Sequence, residues 1–406
     1  MNEIFIVKVD LIDTMTVALI LYWIGITLCR RLSFLQRYNV PPAVVGGLLF
    51  AVLRLMFISK VDFEFDTLLM DPFMQAFFAT IGLGASAALL KKGGTLTVKL
   101  LAAAIILLLL QDAAAIAIGR WGGLHPLIAM LAGSPTMTGG HGTGFVFAEV
   151  FEKSFGLHEA TEVAFACASY GIIAGSLLGG PVADSLIARH SLAKPAFTGE
   201  KYRESVVVDV FNFGDSGEEA TPRLILMTIF QITFAVSVGI WFNEWIETKG
   251  VFVPAYAVAL LAGIILRNVG DHVRLFRVHP RIVNYISGAC LSFFLAMALM
   301  MIDLRDLSDL AMPLIMILLV QTLLMIVFAY FVTFKLVGGD YQASVITAGH
   351  IGFGLGGTAN AVANMEAVCA RYGSATDAFF AVAAVGAFFI DIVNVFVINV
   401  LVKILV

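Results

Sequence analysis

The chain has 406 residues, 60% of them hydrophobic and 13% charged, with a formal net charge of −4. Its mean hydropathy of +0.95 means more apolar surface than one soluble core can bury, and the charged share is about half that of soluble domains. This excludes a soluble enzyme, a nucleic-acid binder and a disordered chain, and leaves an integral membrane protein with at most about a dozen spans of roughly 20 residues each.

In chain order, the first residues carry Glu3, Asp10 and Asp13 against Lys8, the wrong charge for a signal peptide, so the apolar run that follows reads as a retained first helix. Apolar runs bounded by charges, Pro or Gly predict ten spans, at 14–29, 42–58, 72–90, 99–118, 163–187, 224–245, 252–266, 284–302, 312–334 and 377–401. Two further stretches, 127–151 and 341–367, are hydrophobic but carry Gly, Thr, Ser and Asn at their centres. Irregular backbone is not tolerated facing lipid, so these read as re-entrant hairpins buried in protein or lining a cavity; the plain alternative is a pair of amphipathic connectors. The long polar segment with FTGEKYRES and NFGDSGEEATP separates two halves, giving a first repeat over 1–190, a linker over 191–221 and a second repeat over 222–406. Cys29, Cys167, Cys290 and Cys369 are scattered singly, which implies neither a disulfide framework nor a zinc site.

Lys and Arg concentrate on the cytoplasmic side of membrane proteins. Here 17 of them fall at one set of helix ends and 8 at the other, which places both termini outside and the 189–223 loop in the cytoplasm. The halves also repeat each other at an offset of 210 to 216: Phe77-Phe78 matches Phe293-Phe294, Gln111 matches Gln321, Ala132-Gly133 matches Ala348-Gly349, and ATEVAFA from Ala160 matches ATDAFFA from Ala375. Five spans per half is an odd number, so the second copy must be inverted relative to the first. The expected architecture is thus all-α, ten transmembrane helices in two inverted five-helix repeats, each with one re-entrant hairpin. Inverted repeats are the mark of alternating-access transporters, with substrate near the midplane where the repeats meet. The two hairpins enter from opposite sides and their tips are expected to meet.

The first tip reads GSPTMTGGHGTG from Gly133, the second GHIGFGLGGTANAVAN from Gly349. Glycines there allow peptide N–H and C=O groups to point at a ligand, and a helix starting beyond the tip offers its positive end to an anion while unwound carbonyls suit a hard cation. The functional reading is an anionic solute plus Na⁺; the bland one is close packing through small residues. Asp391, with Asn394 on the same helical face, is an acid deep in an apolar run and calls for a cationic partner, or a hydrogen bond from freed backbone. Asp112 beside Gln111 is a second such acid, with a structural role equally open. Asn360 and Asn364 share a face and can coordinate a cation, bind a carboxylate or tie the hairpin to its neighbours. His141 and His350 can donate to an anion or serve structure, and Arg54, Arg120 and Arg371 snorkel. GFGLGG lacks the strand and acidic residue of a dinucleotide site.

The motifs TGGHGTG at Thr138, DPFMQAFFATIGL from Asp71, SFFLAMALM from Ser292, TAGHIGFGLGGT from Thr347, AVANMEA from Ala361 and VGAFFIDIVN from Val385 resemble those of the bacterial sodium/glutamate symporter family over nearly the whole chain. The resemblance implies Na⁺-coupled uptake of L-glutamate, ten spans with two oppositely inserted re-entrant loops, the bacterial inner membrane, and a homodimer whose substrate-bearing part slides against a scaffold. Pro135 and Gly357 depart from the pattern and bear on the choice between glutamate and aspartate. On this reading Ser134, Thr136, Thr138, Gly139, Gly140, His141, Gly142, Thr143, Gly356, Gly357 and Thr358 hold the substrate carboxylates. Na⁺ sits among tip carbonyls, Asn360, Asn364, Asp391 and Asn394. An inside-negative potential opposes an entering anion by about 2.3 kcal/mol per charge per 100 mV, so at least two cations must accompany glutamate for net positive charge movement. The nearest rival is an H⁺- or Na⁺-coupled dicarboxylate or aspartate transporter of the same architecture; a channel is a more distant one. For an enzyme there is no HExxH, paired catalytic carboxylates or nucleophile with its base, and no organic cofactor is expected.

Overall fold

A computed structural model describes residues 5–37, 40–57, 61–88, 94–192, 220–248, 255–273, 277–301, 310–373 and 375–406. The expected linker falls largely outside them, over 193–219, as do the ends of four expected spans, at 58, 89–90, 252–254 and 302.

The chain is overwhelmingly helical, because in an apolar surrounding a helix satisfies its own backbone donors and acceptors. In the first half, α1 (Leu11–Arg31), the short α2 (Ser33–Arg37), α3 (Pro42–Phe57) and α4 (Met70–Gly84) precede the long α5 (Gly94–Trp121). Three short-to-medium helices, α6 (Pro126–Leu131), α7 (Ser134–Met137) and α8 (Gly140–Phe155), lead to α9 (Ala160–Arg189). In the second half, α10 (Pro222–Glu247), α11 (Ala255–Val273) and α12 (Pro280–Met300) are followed by α13 (Ala311–Phe328), which continues through a π-helical turn at Ala329–Thr333. The pair α14 (Tyr341–Leu355) and α15 (Thr358–Tyr372) leads to a last rod made of α16 (Thr376–Ala384), a π turn at Val385–Phe389 and α17 (Ile390–Leu405). Asp10 caps α1 by accepting from Asp13 N at 3.0 Å, Asp340 caps α14 through Ala343 N at 2.8 Å, and Pro280 occupies the first turn of α12.

Among the described residues, 8 helical rods are long and apolar enough to cross a membrane. The expected spans at 42–58 and 72–90 are shorter helices of 16 and 15 residues. Large apolar side chains such as Trp23, Phe230, Trp241 and Leu319 stay exposed on the outer faces, as lipid contact requires.

The expectation of an all-helical chain omits one feature. Strand β1 (Phe5–Val9) pairs in parallel with β2 (Val61–Phe65), with Lys8 opposite Glu64. The period-two alternation of VDFEF is the strand signal, and Phe50 of α3 packs its ring against Phe63 and Phe65.

The helices pack as two groups. One contains α1, α3, α4, α10, α11 and α12; the other contains α5 to α9 and α13 to α17. They meet where α8 touches α12 and where the last rod touches α4 and α11. Inside the second group α9 lies so close along α14 that a Cβ at Gly171 would collide with the Leu355 carbonyl, while Gly175 and Gly179 face Gly352 and Ala348 one and two turns on. This four-residue spacing of glycines puts backbone against backbone.

Candidate functional site

The two glycine-rich breaks are tied to the helices around them by buried hydrogen bonds. In the first, the Ser134 amide donates to Asp112 Oδ1 at 2.7 Å, and Ser134 Oγ lies 2.9 Å from Asp112 Oδ2 and 2.6 Å from Asn394 Oδ1. Asn394 Nδ2 donates back to the Ser134 carbonyl at 3.0 Å. The Thr136 hydroxyl closes on Leu131 O at 2.6 Å, and the Thr138 hydroxyl donates to Gln111 Oε1 at 2.8 Å. Gln111 Nε2 in turn donates to Gly354 O at 2.8 Å, so one side chain of α5 spans from the first break to the second. Its own carbonyl accepts from Gln321 Nε2 at 2.7 Å. His141 Nε2 is 3.3 Å from Ser169 Oγ on α9.

In the second break, Gly357 adopts φ of +146°, which its lack of a side chain permits, and Thr358 then starts α15 with its hydroxyl donating to Gly386 O at 2.7 Å. That carbonyl belongs to the π turn of the last rod, a local widening common at functional sites. Asn360 Nδ2 donates to Ile172 O at 2.9 Å, and Asn364 Nδ2 to Gly175 O at 2.8 Å and Ala348 O at 3.3 Å. His350 Nδ1 pairs with Thr333 Oγ1 at 2.8 Å. The two breaks also touch: Gly140, with φ of +61°, has room for a Cβ only at 3.0 Å from Gly356 O.

A cavity of about 480 Å³ lies on the seam between the two helix groups. Phe77, Thr80 and Ile81 of α4 and Arg281, Asn284, Tyr285 and Ser287 of α12 line one wall; Thr358, Ala387, Phe388 and Asp391 line the other. Its size lies within the range of small-molecule sites, and its lining combines one guanidinium, one carboxylate, an amide and hydroxyls with aromatic rings. Phe388 reaches across the seam to Gly84. Elsewhere along the seam Gly142 rests against Phe77 and Leu291. There Lys153 of α8 reaches Asp71 Oδ1 at 3.1 Å while holding Glu149 at 2.8 Å.

The sequence-derived candidates are therefore not gathered into one site. Thr358 and Asp391 line the cavity; Ser134 and Asn394 join Asp112 in a separate buried cluster; Asn360 and Asn364 brace α15 against α9 and α14. Thr136 and Thr138 bond within the first break and to α5, His141 turns to α9, and Gly139, Gly142 and Thr143 lie in the packed first break. Gly140 and Gly356 lie against each other. The sequence reading missed Arg281, Asn284 and Ser287, counting Arg281 only as a helix-end cation. A signal was present: R-x-x-N-x-x-S at the start of an apolar helix places polar groups on one side of it.

A helical, multi-pass membrane protein with a solute-sized cavity between two packed helix groups belongs to the broad class of membrane transport proteins in its organisation. A family model described as sodium/glutamate symporter matches residues 7–374, and the chain belongs to that family. It is 40% identical over 392 residues to the sodium/glutamate symporter of Escherichia coli strain K12, covering 96% of each chain. It is 37% identical over 387 residues to that of Haemophilus influenzae strain ATCC 51907, covering 94% of each.

Proposed function

We propose that this protein carries L-glutamate into the cell together with Na⁺ across the bacterial inner membrane, by alternating access. The observation that carries the assignment is the cavity on the seam, where Arg281 and Asp391 face one space from different helix groups. Glutamate has two carboxylates and one ammonium, and the cavity offers complementary groups: the Arg281 guanidinium, Asn284 amide and Ser287 hydroxyl for carboxylates, the Asp391 carboxylate for a cation. Na⁺ is placed at Asp391, beside the π turn. Asn360 and Asn364, whose amide hydrogens are already given to carbonyls of α9 and α14, position the second break, and Asn394 positions the first.

The proposed frame is ten spans in two inverted repeats with α6–α8 and α14–α15 as re-entrant hairpins, and both termini outside. Supporting the repeat, α1 approaches α3 through Gly25 at the Pro42 carbonyl, and α10 approaches α11 through Gly239 at the Ala255 carbonyl. The thin seam between the helix groups suits movement of the group bearing the breaks past a scaffold, which a homodimer would hold. In this orientation Arg281 and Asn284 begin a helix at the cytoplasmic side, so the cavity belongs to an inward-directed conformation. The Gly142 and Lys153–Asp71 contacts then close the outer side.

The test is uptake of labelled L-glutamate into liposomes containing the purified protein, under inward Na⁺, K⁺ and H⁺ gradients. Saturable uptake with Na⁺ alone, competed by excess L-glutamate, is the expected result. Uptake driven by an H⁺ gradient without Na⁺, or competed only by dicarboxylates lacking an amine, overturns the assignment.

A further inference from the structure

Counting hydrogens in the Asp112–Ser134–Asn394 cluster leaves one short. Ser134 Oγ is 2.9 Å from Asp112 Oδ2 and 2.6 Å from Asn394 Oδ1, both separations of O–H···O bonds. The hydroxyl has one hydrogen and can donate to only one of them. The amide of Asn394 cannot supply the second. Its Nδ2 is held at 3.0 Å from the Ser134 carbonyl, and rotating the amide to turn nitrogen toward Oγ would set Oδ1 against that carbonyl oxygen. Either Asp112 brings a proton of its own, or two oxygens are pressed together with nothing between them.

The surroundings favour the proton. Asp112 is 1% exposed, and Ser134 and Asn394 are fully buried, so bulk water does not reach the chain of oxygens. The described hydrogen bonds to the carboxyl all come from Ser134: its amide to Oδ1 and its hydroxyl beside Oδ2. Charged side chains on the elements packed around α5 are Lys335, Asp377, Asp391 and Lys403, with Lys99 and Arg120 at the ends of α5 itself. The titratable neutral ones are His350, Tyr330 and Tyr341. Asp112 makes no described ion pair or hydrogen bond with any of these. An ionised carboxylate in such a place, without a cation, is strongly disfavoured.

We propose that Asp112 is a proton-binding site in this conformation, its carboxylic acid donating from Oδ2 to Ser134 Oγ, which donates to Asn394 Oδ1. The ligand is H⁺, held apart from the seam cavity. The neutral chain joins the first break to the last rod, so that hairpin and rod move as one piece. Na⁺ suits the spot less well, because oxygens sharing a bound cation stand apart around it whereas these lie within direct hydrogen-bonding distance. The inference does not depend on which solute the protein carries.

Infrared spectroscopy of the purified protein at neutral pH tests it without any transport assay. The expected spectrum contains a carboxylic-acid C=O band that shifts in D₂O and disappears in Asp112→Asn. Adding Na⁺ leaves the band unchanged. Asp112→Asn is expected to keep the parent melting temperature, since its Nδ2 can donate to Ser134 Oγ as the acid does, whereas Asp112→Leu loses stability. Absence of a protonated-acid band assignable to Asp112 overturns the proposal. So does loss of the band on adding Na⁺, which would make Asp112 an ionised cation ligand.

Discussion

The closest backbone contact in the helix group bearing the breaks sits at Gly171, and Gly171→Val is the sharpest test of the packing. A Cβ there meets the Leu355 carbonyl well inside contact distance, and backbone cannot swing away as a side-chain end does. To accept valine, α9 and α14 must separate. Overpacking of this kind costs about 1 to 3 kcal/mol. Separation also stretches the bonds that cross the same face, from Asn360 to Ile172 O at 2.9 Å and from Asn364 to Gly175 O at 2.8 Å. Each is worth about 0.5 to 1.5 kcal/mol, so the combined loss is about 2 to 6 kcal/mol. Gly180, nine residues along the same helix with nothing within 4 Å of its Cβ position, provides the control as Gly180→Ala. Thermal unfolding of the detergent-solubilised proteins, followed by intrinsic fluorescence, should show a drop of several degrees or more for Gly171→Val and little change for Gly180→Ala. Equal melting temperatures for Gly171→Val and the parent would refute the argument that backbone contact fixes α9 against α14.

Asp391→Asn should raise the Na⁺ concentration for half-maximal uptake roughly 10- to 150-fold, the equivalent of a charge-assisted bond worth about 1.5 to 3 kcal/mol; an unchanged Na⁺ activation curve would remove Asp391 from the cation site. Arg281→Gln should raise the half-saturating glutamate concentration at least about tenfold in the liposome uptake assay; an unchanged value would remove Arg281 from the substrate site. Asn364→Leu breaks the amide bonds to Gly175 O and Ala348 O. Two buried bonds of about 0.5 to 1.5 kcal/mol each are lost, so a stability loss of about 1 to 3 kcal/mol is expected in the same unfolding assay. Asp71→Asn removes an exposed ion pair with Lys153 that bridges the helix groups. Its expected effect is small, about 0.2 to 1 kcal/mol, and should appear as faster labelling of a cysteine placed on the seam beside Lys153 and not as a change in melting.

The sequence by itself determined that the protein lives in a membrane, where its helices run, and where the regular pattern breaks. Those follow from composition and from local rules: an apolar surrounding forces helices, and Gly-rich segments cannot be plain ones. The motif resemblance carried the family as well. The candidate residues were legible as types, since an acid such as Asp391 or Asp112 in an apolar run is costly and must have a use. What each of them touches was not legible. Asp391 faces a cavity while Asn394, three residues on, turns to Ser134 on a break some 260 positions away in the chain. Asn360 and Asn364, alike in sequence context, brace a hairpin against α9 because the glycines at 171, 175 and 179 bring that helix within reach of their amides. The wall containing Arg281, Asn284 and Ser287 became part of a site when α12 was laid opposite the last rod. Spacing along one chain fixes which residues share a helical face, but a cavity between two helix groups is a property of their packing, which only the tertiary structure decides.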